Sequence, residues 1–236
     1  VVFIGGCLFG RSFFVWFLKD FDMAVTLANG SIVQIATKLV AEKKVTAISN
    51  EAEAVCTATA HGLQNGDYVA LLSGWGVLNE RVFRVTSVDA NSFKLDGIDT
   101  RDLNKFPAGS GAGSFQKVEA WQQVTQIMEV SSSGGEQQFT EFGFLEEDFE
   151  RKLPTTQSAY SMTFKIADDP SLPGYKAAQA ASDSGKLTPM RVILKNKSVV
   201  VYNGYVSMSP MPQLVRNEVM AVNMTYSLSG LFNRYL

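Results

Sequence analysis

The C-terminal part of the chain alternates strictly between apolar and polar positions. Met220, Val222, Met224, Tyr226 and Leu228 fall on one side, and Ala221, Asn223, Thr225 and Ser227 on the other. A period of two is the signature of a strand with one buried face. The same rhythm places Tyr160, Met162, Phe164 and Ile166 against Ser161, Thr163 and Lys165, and recurs more loosely over 199–206 and 121–130. The half after Trp121 is therefore expected to be mainly antiparallel sheet. A hairpin is predicted from Trp121 to Val130 and Gln137 to Leu145, its loop Ser131, Ser132, Ser133, Gly134, Gly135 and Glu136 being too long for a tight turn and so expected to project.

Between Val45 and Val118 the texture changes to short apolar runs separated by turn signals at His61-Gly62, Asn65-Gly66-Asp67 and Asp89-Ala90-Asn91, followed by glycines at 109, 111 and 113. Short strands at regular intervals predict a small β-barrel or sandwich, and 47–118 reads as a module inserted into a larger fold. Residues 23–46 form an arm in which SIVQIATKL suits either a helix or an edge strand. One short helix is predicted over Tyr175 to Ser182, with Asp168 and Asp169 as caps, proline near its start and Gly185 as its stop. Residues 119–236 then make the main β-sandwich.

The first 22 residues are different in kind. They are strongly apolar but interrupted by Arg11. Val1 to Leu18 reaches the roughly 18-residue length of a membrane span, yet a central arginine costs about 2.5–3.5 kcal/mol on insertion scales. No basic start or cleavage site marks a secretory signal. Residues 1–22 are therefore expected to be an upstream extension, with Met23 opening the fold, and no membrane anchor is expected.

Composition narrows the function. With 46% hydrophobic and 19% charged positions among 236 residues, the chain can bury a large core. A net charge of −2 without a basic cluster argues against a surface that grips nucleic acid. Cys7 and Cys56 lie in unlike segments and predict neither a disulfide framework nor a ligand pair. A reducing cytoplasm suits them.

Residues that could carry catalysis each have a plainer reading. His61 is the single histidine, and nothing in the sequence sets a nucleophile or carboxylate beside it. Gly109, Gly111 and Gly113 lack the strand, helix and Lys-Ser/Thr pair of a phosphate loop and read as a flexible barrel closure. Glu146, Glu147, Asp148 and Glu150 lack calcium-loop spacing and read as a solvated or channel-facing acidic surface. Trp75 and Trp121 fit either a sugar-binding face or local cores. No catalytic residue, metal or cofactor is expected.

From Met23 onward the order of segments resembles the tail tube proteins of long-tailed, non-contractile bacteriophages and prophages. The resemblance rests on MAVTLANGSIVQIAT, HGLQNGDYVALLSGWGVLNERVFRV, LDGIDTRDLNKFPAGSGAGS, SGGEQQFTEFGFLEEDFERKLPT, IADDPSLPGYKAAQAASDS and VVYNGYVSMSPMPQLVRNEVM. It implies a tail-tube-type β-sandwich or barrel with one flanking helix, built as stacked hexameric rings into a virion conduit for genome ejection. The implied partners are further copies of the chain and other tail proteins (tape measure, terminator, baseplate), with DNA passing through unbound and assembly in the bacterial host cytoplasm. On that reading Ser131 to Glu136 is the expected ring-stacking loop, the 23–37 arm a second contact, and the acidic run from Glu146 to Glu150 an expected lumen surface. The inserted module is expected outside the tube. Rival readings are a carbohydrate-binding or adhesin sandwich using the Trp75 loop, a single-ring terminator or hub, and, more remotely, a glycosidase, for which no carboxylate pair can be named.

Overall fold

The computed structural model describes residues 29–236; residues 1–22 and Met23 itself lie outside them. The chain opens with β1 (Ile32–Leu39), β2 (Lys43–Val45) and β3 (Ala47–Ile48), then β4 (Val55–Thr57), β5 (Tyr68–Ser73), β6 (Arg81–Thr86), β7 (Ser92–Leu95) and the long β8 (Gly113–Val124). There follow β9 (Ile127–Ser133), β10 (Gln137–Phe142), β11 (Arg151–Gln157), β12 (Ser161–Ala167), α1 (Pro173–Ser184), β13 (Thr188–Ile193), β14 (Val199–Met208), β15 (Ala221–Leu228) and β16 (Asn233–Tyr235). The fold is mainly β with a single helix among the described residues.

The first half of β8 belongs to a small closed barrel. Strands run in the order β3-β4-β7-β6-β5-β8, and β2, continuous with β3 but for Thr46, pairs with the start of β8 and closes the circuit. Inside it Trp75, Phe83, Phe93, Phe115, Leu71, Leu95 and Cys56 form one apolar cluster. The Trp75 indole N–H donates to the Pro107 carbonyl at 2.9 Å, so its polar edge is satisfied in the core. Two of the three glycines of the closure are closely packed, while Gly109 stands in open space. A Cβ on Gly113 would lie 2.0 Å from the Leu72 carbonyl oxygen, and one on Gly111 would meet the Trp75 ring at 3.0 Å.

The second half of β8 begins the larger sheet, β8-β1-β13-β14-β15-β12-β9. One core cluster joins Val33, Ile35, Val124 and Met190 from its first strands with Phe164, Ile166, Val222, Met224 and Tyr226 from its last. The sheet must therefore fold back on itself near β14 to make a sandwich. The alternation near the C-terminus is realised from Val222 onward: Val222, Met224 and Tyr226 are fully buried, and the Tyr226 hydroxyl donates to the Thr188 carbonyl at 2.6 Å. Its start is corrected, because Met220 lies ahead of the strand and is exposed while Ala221, expected on the polar side, is buried. β1 is neither helix nor edge. It lies between β8 and β13 because both its faces find apolar cover, Val33 and Ile35 in one cluster and Ala36 and Leu39 against another.

Two local expectations are corrected. The helix starts at Pro173 behind Leu172 and ends on Gly185 in the left-handed conformation (φ 58°), but no side chain caps its first turn. Asp168 and Asp169 stand too far ahead of it. Asp169 instead accepts from the Ser171 amide (3.0 Å) and hydroxyl (2.6 Å), and Asp168 from the Tyr175 hydroxyl (3.0 Å).

The predicted hairpin of 121–130 with 137–145 does not form. β9 pairs with β12, and β10 pairs with β11, so the two strand pairs lie in tandem as one kinked ribbon. Ser131, Ser132 and Ser133 are the end of β9, and Ser133 shares a 2.8 Å hydroxyl hydrogen bond with Ser161. Gly134 and Gly135 make the kink with φ of 90° and 79°, a region open to glycine. Added Cβ atoms there would strike the Ala159 carbonyl oxygen and the Tyr160 ring. The chain reverses only at 143–150.

Phe164 and Phe149 provide a contrast, being 1% and 72% exposed. Phe164→Ala is expected to lower stability by about 3–5 kcal/mol and Phe149→Ala to leave it within about 0.5 kcal/mol, measured by urea unfolding. A loss below about 1 kcal/mol for Phe164→Ala would contradict this core.

Candidate functional site

The residues that invite a chemical reading are spent on structure. His61 is buried, its Nδ1 accepting from the Leu63 amide at 3.1 Å and its Nε2 set 2.7 Å from the Asp89 carbonyl oxygen, with the ring edge on Phe93. Those partners put the ring proton on Nε2, a neutral turn-locking histidine. Burial pushes the Cys56 thiol up to about 12, so it holds its proton. Trp75 is 2% exposed and offers no sugar face. Trp121 is half-buried beneath Arg191, whose guanidinium carbon stands 4.5 Å from its ring. No helix among the described residues is long and apolar enough to cross a membrane.

What remains is surface that a lone subunit leaves unsatisfied. The β10–β11 arm has no core of its own. Among the described residues its strands pair only with each other, and it exposes Phe139, Phe144, Leu145, Phe149 and Leu153. A two-stranded ribbon is marginal in water without a partner. Polar contacts stiffen it: Arg151 reaches Glu147 at 2.6 Å, Lys152 reaches Glu141 at 2.7 Å, and Phe142 meets Phe144 edge-on. The Lys152 ammonium holds the Glu141 carboxyl below its usual range. Glu146, Glu147, Asp148 and Glu150 all sit in the turn of this arm, among its exposed apolar residues. The proposed stacking loop Ser131 to Glu136 is the root of the same arm.

Two further surfaces have the same character. Among the described residues β9 ends the large sheet and one side of its backbone has no ladder partner, and Met128 and Val130 are half exposed on it. Such an edge invites pairing with another chain. The connection between β14 and β15 exposes Met211, Leu214, Val215, Val219 and Met220. The sequence signal for this last surface is the set of apolar residues that follow Pro210 and Pro212.

The small barrel is clamped to the sandwich by the C-terminal strand. Arg81 donates from Nε to the Leu231 carbonyl (2.9 Å) and from Nη2 to Asn233 Oδ1 (2.5 Å), while Asn233 Nδ2 donates to the Val82 carbonyl (2.6 Å). Burial lowers the pKa of the Arg81 guanidinium from its ordinary value. The Arg84 amide donates to the Tyr235 hydroxyl at 2.9 Å, and the Arg84 guanidinium lies over that ring at 4.5 Å. Burial pushes the Tyr235 phenol up to about 12. Tyr68, Val82, Val118 and Val201 complete the seam.

The described surface thus combines a sheet edge, an arm without a core and apolar connections. A family model described as phage tail tube protein matches residues 73–236. The chain belongs to the phage tail tube protein family. The match begins at the end of β5, inside the small barrel, and runs through the arm and the whole of the sandwich from β8. Among solved structures, a chain in the tail of an empty gene transfer agent particle, computed with helical refinement and C6 symmetry, is 11% identical with a TM-score of 0.40, covering 50% of this chain and 88% of that one. A chain in the virion of a native gene transfer agent particle is also 11% identical, with a TM-score of 0.38, covering 49% and 89%. No curated protein matches the sequence.

In this tail tube chain the clamp predicts a specific weakness. Asn233→Ala removes a partner from a buried guanidinium and is expected to cost about 1.5–3 kcal/mol. Faster hydrogen exchange should appear first at the β6 amides; unchanged exchange there would show that β16 does not hold the barrel.

Proposed function

We propose that this chain is a structural virion subunit that polymerises as stacked hexameric rings into a phage tail tube, the conduit through which the genome passes into the host. The observation that carries the reading is the pairing of a free β9 edge with a coreless, apolar-tipped arm in a member of the tail tube family. A ring needs a heterologous interface whose rotation closes, and a tube needs a second that repeats along the axis. The β9 edge suits the first and the arm the second.

This reading moves the stacking contact from Ser131–Glu136 outward to the arm they support. It also treats the acidic turn of Glu146, Glu147, Asp148 and Glu150 as part of a contact between subunits in place of a lumen wall. Residues 47–118 act as a decorating module held outside the tube by the β16 clamp. A barrel of that size has a radius of gyration of roughly 13 Å or less, and a ring of them would obstruct a bore wide enough for a duplex. The other tail components (tape measure, terminator, baseplate) are the remaining partners, met in the host cytoplasm during assembly and in the virion tail afterwards. The sugar-binding alternative loses its contact residue, because Trp75 lies in the barrel core.

Electron microscopy of the purified chain over a concentration series tests the proposal. Tubes are expected from the parent chain, and Leu145→Ser with Phe149→Ser is expected to abolish stacking while leaving the fold and isolated rings intact. Tubes of normal length from the double variant would remove the arm from the stacking interface. A parent chain that forms rings but never tubes would favour a terminator.

A further inference from the structure

The water-facing side of the sheet opposite the sandwich core carries an unusual pattern in β14, β15, β12 and β9. The register sets Tyr205, Ser227, Ser161 and Ser133 side by side across these strands, and Ser207, Thr225, Thr163 and Ser131 in the next row. Every position in both rows bears a hydroxyl. An ordinary solvated surface is about 25–35% charged, and these rows hold no charge. The following row is Asn223, Lys165 and Glu129. Its one cation is neutralised: the Lys165 ammonium lies 3.7 Å from Glu218, and Glu129 stands directly across the ladder from it.

The opposite surfaces of the same strands are already used. Phe164, Ile166, Val222, Met224, Tyr226 and Val206 point into the sandwich core. The small barrel and β16 cover the sheet elsewhere, against Ala36, Val118 and Val201. Because the sheet folds back at β14, the covered and the hydroxyl-bearing parts of its outer face point away from each other.

We infer that this hydroxyl face is the wall of the bore, and that the ligand class it meets is the phosphate backbone of duplex nucleic acid in transit. The inference rests on the tube reading above. Lysine and arginine grip phosphates by releasing their counterions, with affinity that depends steeply on salt. Neutral hydroxyls hydrogen-bond water and phosphate alike and release no counterions, so a duplex slides along them without a preferred stop. Glu218 and Glu129 keep Lys165 from adding a ring of cations to that wall.

Cysteine accessibility in assembled tubes tests the placement. Thr163→Cys is made in the full chain, with Ser131→Cys as a second variant, and labelling is read as the increment over the parent chain, which carries Cys7 and the buried Cys56. Dispersed subunits are expected to react with both a small maleimide and a maleimide on a long polyethylene glycol chain, and intact tubes with the small one only. Equal reaction of tubes with the polymer reagent would put the face outside, and reaction with neither would make it a subunit interface; either overturns the inference. A second measurement uses Glu129→Gln with Glu218→Gln. Tubes of this variant are expected to retain several-fold more short duplex DNA at low salt than parent tubes, an excess lost on adding salt. Unchanged retention also overturns it. Failure of the parent chain to form tubes is a separate result, which refutes the tube reading itself.

Discussion

The structure depends on β8, a strand that serves the small barrel and the sandwich at once. Its first residues pair with β2 and β5 and close the small barrel around Phe115; its last residues pair with β1 and start the sandwich through Val124. A backbone ladder shared in this way couples the orientation of the two bodies, since twisting one relative to the other would break hydrogen bonds in β8. The Arg81–Asn233 and Arg84–Tyr235 contacts then fix the seam from the opposite side. The module is thereby held by both the ladder and the last strand of the chain.

The same ladder logic leaves a remainder. Sheets that end within a soluble monomer usually blunt their last strand, yet among the described residues β9 ends the large sheet with Met128 and Val130 exposed and its backbone open on one side. The ribbon that continues it, β10–β11, has apolar residues and no core. Neither feature stabilises the subunit alone. On the proposed tube assembly both acquire a physical reason, because a second copy would complete the edge and cover the arm.

Much of this was legible in the sequence wherever burial is governed by local period. The alternation ending at Leu228, that of β12, the turn-spaced strands of the barrel and the glycine stop of α1 all follow from single-residue geometry. The failures have a common cause in nonlocal pairing. Ser131 to Ser133 look like a loop because serines carry no apolar period, but they are strand residues whose partners, Ser161 to Thr163, lie about thirty positions away. Gly134-Gly135 look like a reversal, but the crowding of Ala159 and Tyr160 makes them a kink. The interior place of β1 was hidden because its second covered face, at Ala36 and Leu39, is supplied by the small barrel and by Tyr235. The proposed contact surfaces were half visible: the acidic residues at 146–150 stand out by charge, while nothing in the sequence sets the apolar Leu145 and Phe149 beside them apart from buried residues.

The most direct test of the account is a high-resolution electron microscopy reconstruction of the assembled full chain. It predicts six-fold rings in which the open side of β9 makes backbone hydrogen bonds to a strand of the neighbouring subunit. An assembly in which β9 faces solvent, with its ladder positions unpaired, would contradict the claim that the free edge is what closes the ring.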